Sequence, residues 1–246
     1  MIYFLTEWQS KSADLESNMV FNINKVFYEG QIDSKIINTL SSPFLNYLTN
    51  PFEFYNPSHF IDLLDAVKEP DSLNYVPLTL RDMTFPKDWE KIYTRTNILL
   101  TKDGDIKAEV FLNAFGFVSQ VYYYTGLGKE IDVYTEKGTI MCKQYIDAFE
   151  EQVEQQFFDE KGQLILTQRD DWVFISEPYK RKFKHAVYQT FSEVCIEMLN
   201  GLLENFNPKE DKLVVEGTNA WLMHLIEGFK FPKALVYLFN GPAQEG

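Results

Sequence analysis

The amino-acid sequence predicts an α/β protein in which a Rossmann-like parallel sheet is interrupted by an inserted antiparallel β-meander. The first observation is a repeated pattern, in which aromatic residues precede a polar step and a glycine follows it, at residues 110–118, 132–140 and 156–164. The glycines of the three stretches are 22 and 24 residues apart, about the length of a β-hairpin with its return strand. The second observation is that apolar runs alternate with helix-period segments at both ends of the chain, as in β-α-β units.

The N-terminal segment predicts the opening of a doubly wound sheet. Residues 2–5 form a short apolar run, which is typical of a buried strand in a parallel sheet. Ser12 opens a predicted helix, and apolar residues from Met19 onward recur at helical spacing until Gly30 ends it. Residues 35–38 are predicted as the next strand and 60–67 as another short helix.

From about Lys91 the hydrophobic period changes to two, which predicts successive strands. Most separators between these strands contain a glycine, which can adopt the positive φ that tight hairpin turns need. The predicted strands are 92–93, 97–100, 107–112, 117–124, 130–134, 139–145, 153–158 and 163–168, with a further one at 172–175.

After Pro178 the spacing becomes helical again, with apolar residues from Phe183 to Leu202 at steps of three and four. A strand at 212–215, a helix at 218–227 and a strand at 234–239 follow. We therefore expect the Rossmann-like part to comprise 1–90 and 177–246, the meander to comprise 91–176, and a donor-binding domain to be absent.

Composition narrows the class of partner. The formal net charge of −13 disfavours nonspecific binding to nucleic acid, which requires a basic surface. Cys142 and Cys195 suggest neither a disulfide framework nor a metal motif, so both are predicted to be reduced and buried. The start of the chain has no basic segment or long apolar run, which favours a cytoplasmic protein.

Recognisable catalytic motifs are missing from the sequence. It contains no glycine-rich dinucleotide or P-loop motif after the first strand, no nucleophile elbow and no paired metal-binding histidines. We therefore nominate no catalytic residue, no metal site and no cofactor. Tyr122 and Tyr124 fall on one face of a predicted strand, opposite Tyr123, and such a pair could stack on a sugar or a peptide unless it fills the core.

Residues 85–94, Phe-Pro-Lys-Asp-Trp-Glu-Lys-Ile-Tyr-Thr, and the turns at 135–138 and 158–162 carry a family resemblance. They resemble the N-terminal half of GT-B glycosyltransferase-like proteins with a meander insertion. These include wall-teichoic-acid glucosyltransferases and the bacterial accessory Sec proteins that glycosylate and export serine-rich adhesins. Among these, the family of the first accessory secretory protein is most similar.

The resemblance implies a serine-rich repeat adhesin and sister accessory Sec proteins as partners, and it is compatible with peripheral contact with a membrane. In GT-B enzymes the nucleotide-sugar site lies mainly in a second Rossmann domain, before which this chain ends. We therefore expect either a non-catalytic relative that works by protein binding, or the acceptor half of a glycosyltransferase whose donor would be a UDP-sugar. The expected substrate-binding residues are Trp8, Tyr122, Tyr124 and Thr218.

Overall fold

The chain forms two compact units, residues 1–68 with 192–246 and residues 69–191. A computed structural model describes residues 1–7, 18–40, 42–44, 59–68 and 76–239. The strands are β1 (Ile2–Thr6), β2 (Ser34–Asn38), β3 (Phe60–Asp62), β4 (Glu90–Tyr93), β5 (Ile98–Lys102), β6 (Asp105–Leu112), β7 (Val118–Thr125), β8 (Gly128–Tyr134), β9 (Ile140–Asp147), β10 (Gln152–Phe158), β11 (Leu164–Arg169), β12 (Trp172–Ile175), β13 (Val187–Tyr188), β14 (Lys212–Glu216) and β15 (Leu235–Leu238). The α-helices are α1 (Met19–Glu29), α2 (Phe191–Leu202) and α3 (Ala220–Glu227).

The first unit contains a parallel sheet of five strands in the order β15-β14-β1-β2-β3. The strands at its centre are apolar and buried on both faces, as expected for a parallel sheet covered by helices. One face packs against α1, where Val20 and Phe21 contact Phe4, Ile36 and Val214. The predicted parallel α/β sheet, assembled from both ends of the chain, is confirmed.

Two sequence-based assignments in this region are wrong. Residues 60–67 form β3 and a single 3-10 turn (Asp65–Val67) instead of a helix, because Phe60 and Ile61 pair in parallel with Ile36 and Ile37. The helix predicted from Phe183 begins only at Phe191. Before it the chain forms a 3-10 helix (Glu177–Lys182) and β13, which pairs with β12.

The second unit contains the antiparallel meander, with ten strands from β4 to β13 in sequence order. The expected boundaries at 90/91 and 176/177 both lie inside this unit. On the N-terminal side the reason is packing, since Leu78, Leu80 and Phe85 cover the apolar face of β5 to β7. The amide of Val118 also donates to the carbonyl of Leu78 at 2.8 Å.

The three repeats of the sequence form three equivalent turns between neighbouring strands. Gly116, Gly138 and Gly162 have φ values of 84°, 74° and 75°, in the region that favours glycine. Each glycine amide donates to the carbonyl of the residue that begins its turn, Asn113, Thr135 or Asp159. The repeat therefore encodes a turn of fixed geometry that sets the register of the sheet.

Candidate functional site

The carboxyl edge of the parallel sheet is the first candidate site. The chain runs outward from β1 through β2 to β3, and then returns to place β14 on the other side of β1. Ligands of open α/β sheets bind at such a switch point, beyond the carboxyl ends of the strands. Polar groups gather there in this structure, including buried Thr6, Asn38 and Thr39.

Side chains from distant parts of the chain meet at this edge. Asn219 caps α3 by accepting from the Leu222 amide at 3.0 Å, and its Nδ2 donates to Glu7 Oε2 at 3.0 Å. Trp221 Nε1 donates to Thr39 Oγ1 at 3.2 Å. These bonds hold a carboxylate and an amide in a fixed arrangement at the edge, and the carboxylate and amide groups suit a polar ligand with hydroxyl groups. The indole N–H is already occupied by Thr39, so Trp221 serves to position the edge.

Thr218, one of the expected binding residues, lies at the same edge. Thr218 follows β14, is exposed, and donates from its hydroxyl to Glu216 Oε1 at 3.2 Å. Trp8 lies outside the described residues. The sequence analysis did not identify Asn219, Trp221 or Glu7. Its predicted helix began at Thr218, whereas the observed helix begins at Ala220 with Asn219, a favoured N-cap residue, directly before it.

Tyr122 and Tyr124 lie in the second unit and share a face of β7, as the alternation of the strand predicts. The Tyr122 ring is flanked by Phe111, 4.7 Å between centroids, and by Lys129 Nζ at 5.9 Å. The Tyr124 hydroxyl donates to Glu109 Oε1 at 2.6 Å, and burial together with this bond raises the pKa of Tyr124. Tyr124 is 39% exposed, so it is the more accessible ring for stacking.

The face of the meander opposite Tyr122 and Tyr124 carries a charged cluster near the rings of Tyr123 and Tyr134. Lys143 Nζ lies 2.6 Å from Glu130 Oε1 and 3.0 Å from Asp132 Oδ1. Burial raises the pKa of Asp132, and its bond to Lys143 acts in the opposite direction. The lysine pKa is raised, because its bonds to Glu130 and Asp132 outweigh the effect of burial. The lysine and the two carboxylates thus partly neutralise one another's charge within the sheet.

His224 has partners that the sequence did not reveal. Its Nε2 lies 3.2 Å from Ser192 Oγ and its Nδ1 lies 3.3 Å from Glu227 Oε2. The order resembles a hydrolase triad, but Ser192 is buried at the start of α2 and the Glu227 carboxylate is 76% exposed. The contact therefore joins α3 to α2. The described residues contain no group of three or more His, Cys, Asp or Glu side chains arranged to hold a metal ion.

A cavity of about 560 Å³ lies at the opposite, amino-terminal edge of the parallel sheet. Ser34 and Phe60, which begin β2 and β3, form part of its wall with Asp33 and His59. Asn24 Nδ2 donates to Ser34 Oγ at 3.0 Å within the wall. The cavity is thus separate from the polar cluster at the carboxyl edge.

Another candidate site is the open edge of the meander at β4, where all four residues are exposed. β4 pairs with β5 on one side and ends the sheet on the other. The Thr94 amide donates to Asn97 O at 3.0 Å, so alternation makes Ile92 the next residue bonded to β5. The backbone groups of Lys91 and Tyr93 therefore point away from the sheet, as required for pairing with an added strand.

Within the described ranges, no helix is long and apolar enough to cross a bilayer. The family model for accessory Sec system protein 1 matches residues 4–236. A curated accessory Sec system protein 1 from Streptococcus gordonii is 19% identical over 89% of this chain and 43% of its own length. The chain therefore spans less than half of that relative.

Solved structures give the same fold. A chain in the crystal structure of accessory secretory proteins 1, 2 and 3 of Streptococcus pneumoniae has a TM-score of 0.81 at 19% identity, covering 97% of this chain and 51% of that one. A chain of the GtfA/B complex bound to UDP and GlcNAc has a TM-score of 0.67 at 12% identity, over 100% of this chain and 51% of that one. The GT-B-like fold is thereby confirmed, and the extent of the family match shows that the chain belongs to the accessory Sec system protein 1 family.

Proposed function

We propose that this chain supports the export and glycosylation of serine-rich repeat adhesins by binding proteins rather than by catalysis. Its partners are the adhesin and the sister accessory Sec proteins. Family membership supports the proposal, as does the assembly of the similar Streptococcus pneumoniae chain with accessory secretory proteins 2 and 3. The buried free thiols of Cys142 and Cys195 fit a reducing cytoplasm, where the adhesin would be met.

The observation that carries the proposal is the open β4 edge. Lys91 and Tyr93 each direct an amide and a carbonyl outward, so an extended partner can add a strand with four main-chain hydrogen bonds. A serine- and threonine-rich segment suits this mode, since its short polar side chains pack on a sheet edge and tolerate solvent. The exposed Tyr93 ring, 68% accessible, can cover one side of such a strand.

A proline scan at the edge tests this mode of binding. Tyr93→Pro removes an outward amide without removing a bond to β5, whereas Tyr93→Ala removes the ring and keeps the amide. With a serine-rich adhesin peptide or with the cognate accessory secretory proteins 2 and 3, we expect the proline variant to lose about tenfold in affinity. The alanine variant should lose less. A pull-down by the wild-type chain that recovers neither kind of partner would contradict the proposal.

A second candidate function is supported by the polar carboxyl edge. The Glu7–Asn219 pair and the Trp221–Thr39 bond lie where acceptor or sugar groups would bind if the chain were the acceptor half of a glycosyltransferase. UDP-GlcNAc would then be a donor for the complete enzyme. Titration of the chain with a hydroxyl-rich acceptor, comparing Asn219→Ala with wild type, tests this function. Equal affinities would exclude the edge as the acceptor site.

A further inference from the structure

The end of the meander opposite the three glycine turns presents two exposed apolar side chains, the apolar tips, on adjacent turns. Four connections lie there, at residues 102–105, 125–128, 147–151 and 169–172, which we call the acidic turn edge. Leu127 is 86% exposed and Phe149 is 85% exposed, and they occupy the two neighbouring connections in the middle. Trp172 lies in the 169–172 connection, beside the one that bears Phe149, and is 48% exposed. Exposed apolar side chains mark a contact surface when they lie together in a patch, so the arrangement of these side chains decides their role.

Both tips are held in place by local bonds. In the Leu127 turn, the Thr125 hydroxyl accepts from the Leu127 amide at 3.3 Å and donates to Gly128 O at 3.1 Å. In the Phe149 turn, Asp147 Oδ1 accepts from the amides of Phe149 and Glu151 at 2.8 and 3.0 Å. These bonds fix the backbone while the apolar side chains point into solvent, which lowers the entropy cost of binding.

The two turns are also fixed to each other. Gly128 pairs with Asp147 across the β8–β9 ladder, and a Cβ on Gly128 would lie only 2.0 Å from Ile146 O. Lys129 forms an ion pair with Glu150. Because the ladder and the ion pair hold the turns side by side, Leu127 and Phe149 form one presented patch.

The charge around this patch indicates its partner. The four connections carry seven carboxylates and two basic residues, Lys102 and Arg169. Lys102 Nζ lies 2.7 Å from Asp88 Oδ2, and Arg169 Nε donates to Glu154 at 2.9 Å, so neighbouring carboxylates already neutralise both. Asp105 and Glu150 are paired in the same way with Lys107 and Lys129, so the excess negative charge comes from the other five carboxylates. At the opposite end, the turns 94–97, 113–117, 135–139 and 159–163 carry three charges of each sign, and the longer connection 176–186 carries one carboxylate and four Lys or Arg residues. The negative charge is therefore concentrated at the end that bears the exposed tips.

We propose that the acidic turn edge docks a basic surface with an apolar groove on another protein of the accessory Sec assembly, with Leu127 and Phe149 as the anchors. This inference rests on the proposed function, since it assigns one of the contacts through which the chain would act. Carboxylates around an apolar centre match a basic rim around an apolar groove. The same carboxylates repel anionic lipid headgroups, so the tips do not serve to enter a membrane.

The test uses the complete chain and its purified cognate accessory secretory proteins 2 and 3. Leu127→Ser with Phe149→Ser removes both anchors, and Phe115→Ser, at a 47% exposed position on the opposite end, is the matched control. We expect the double variant to lose about tenfold or more in affinity while its thermal transition and the control stay at wild-type values. Asp170→Asn with Asp171→Asn should slow association and reduce its dependence on salt.

The outcomes separate the two proposals. If wild type and the double variant bind the sister proteins equally, the docking inference is overturned and the proposed function stands. If wild type does not bind them, the docking inference is overturned, and the proposed function fails as well only if wild type does not bind the serine-rich adhesin either. Co-sedimentation with phosphatidylcholine vesicles, with and without phosphatidylglycerol, forms the third arm. Vesicle binding that depends on Leu127 and Phe149, without any effect of these residues on sister-protein binding, would assign the tips to a membrane and refute our inference.

Discussion

Replacing Val214 with aspartate should unfold most of the first unit at neutral pH. Val214 is 7% exposed in β14, between β1 and β15, and packs with Phe4, Phe21 and Ile36. An aspartate in this apolar cluster is accommodated as the neutral acid, and keeping a carboxyl of ordinary pKa protonated at pH 7 costs about 4 kcal/mol. Loss of the valine burial adds about 1.5–3 kcal/mol. The sum is comparable to the ~5–15 kcal/mol that holds an ordinary domain together.

The pH dependence identifies the mechanism. The pKa of the new aspartate is raised in the folded state, so the folded protein binds more protons than the unfolded one and the penalty falls with decreasing pH. Between pH 7 and pH 5 the deficit should shrink by about 2.7 kcal/mol. Urea unfolding of wild type and variant at both pH values measures this change.

Val26→Asp is the matched control, because it makes the same substitution at a 62% exposed position on α1. It should cost about 1 kcal/mol or less, with little dependence on pH. If Val214→Asp unfolds at the wild-type midpoint, or if its deficit is equal at pH 5 and pH 7, then Val214 is not enclosed by the neighbouring strands and the reasoning is wrong.

Two further predictions concern the meander. Gly128→Ala should destabilise the protein more than Gly104→Ala. Both glycines have positive φ, but an added Cβ would collide with Ile146 O at Gly128 and would meet no atom within 4 Å at Gly104. Similar shifts of the thermal midpoint in the two variants would contradict this packing. The Gly104 change should cost about 1 kcal/mol. Burial raises the pKa of Asp132 above its ordinary 3.8, so the contribution of this residue to stability should fall as pH rises from that value, and Asp132→Asn should gain stability relative to wild type between pH 4 and pH 7. Denaturation of both proteins at the two pH values measures this difference, and parallel profiles would argue against a raised pKa.

The meander was predictable because its signals are local. Alternation and the turns at Gly116, Gly138 and Gly162 specify strand after strand from adjacent residues. The β3 segment was mistaken for a helix because apolar residues in so short a stretch fit either period, and only pairing with β2 decides between them. The second unit also includes residues 78–89, which have no strand pattern and join the meander through packing and the Val118–Leu78 hydrogen bond, contacts that no local signal in the sequence reveals.

The candidate site was less predictable, because its contacts join residues far apart in sequence. Glu7 meets Asn219 only when β14 returns beside β1, and neither residue belongs to a recognised motif. Tyr122 and Tyr124 were placed on one face correctly because that inference needs only strand alternation. The exposure of Leu127 and Phe149 could not be inferred either, since a hydrophobic residue near a turn gives no sign in the sequence of whether another element covers it.

The position of β1 in the middle of its sheet has a consequence for the order of events during synthesis. Its partner β2 is made soon afterwards, with Ser34 opposite Ile2, but its other neighbour begins only at Lys212. Closing the longer loop costs about 1.7 kcal/mol more than closing the shorter one, if the intervening chain is flexible. A meander that has already folded shortens the effective loop. We therefore expect residues 69–191 to fold first on the ribosome. Until β14 is synthesised, the side of β1 that pairs with it should stay without a partner strand and accessible to chaperones.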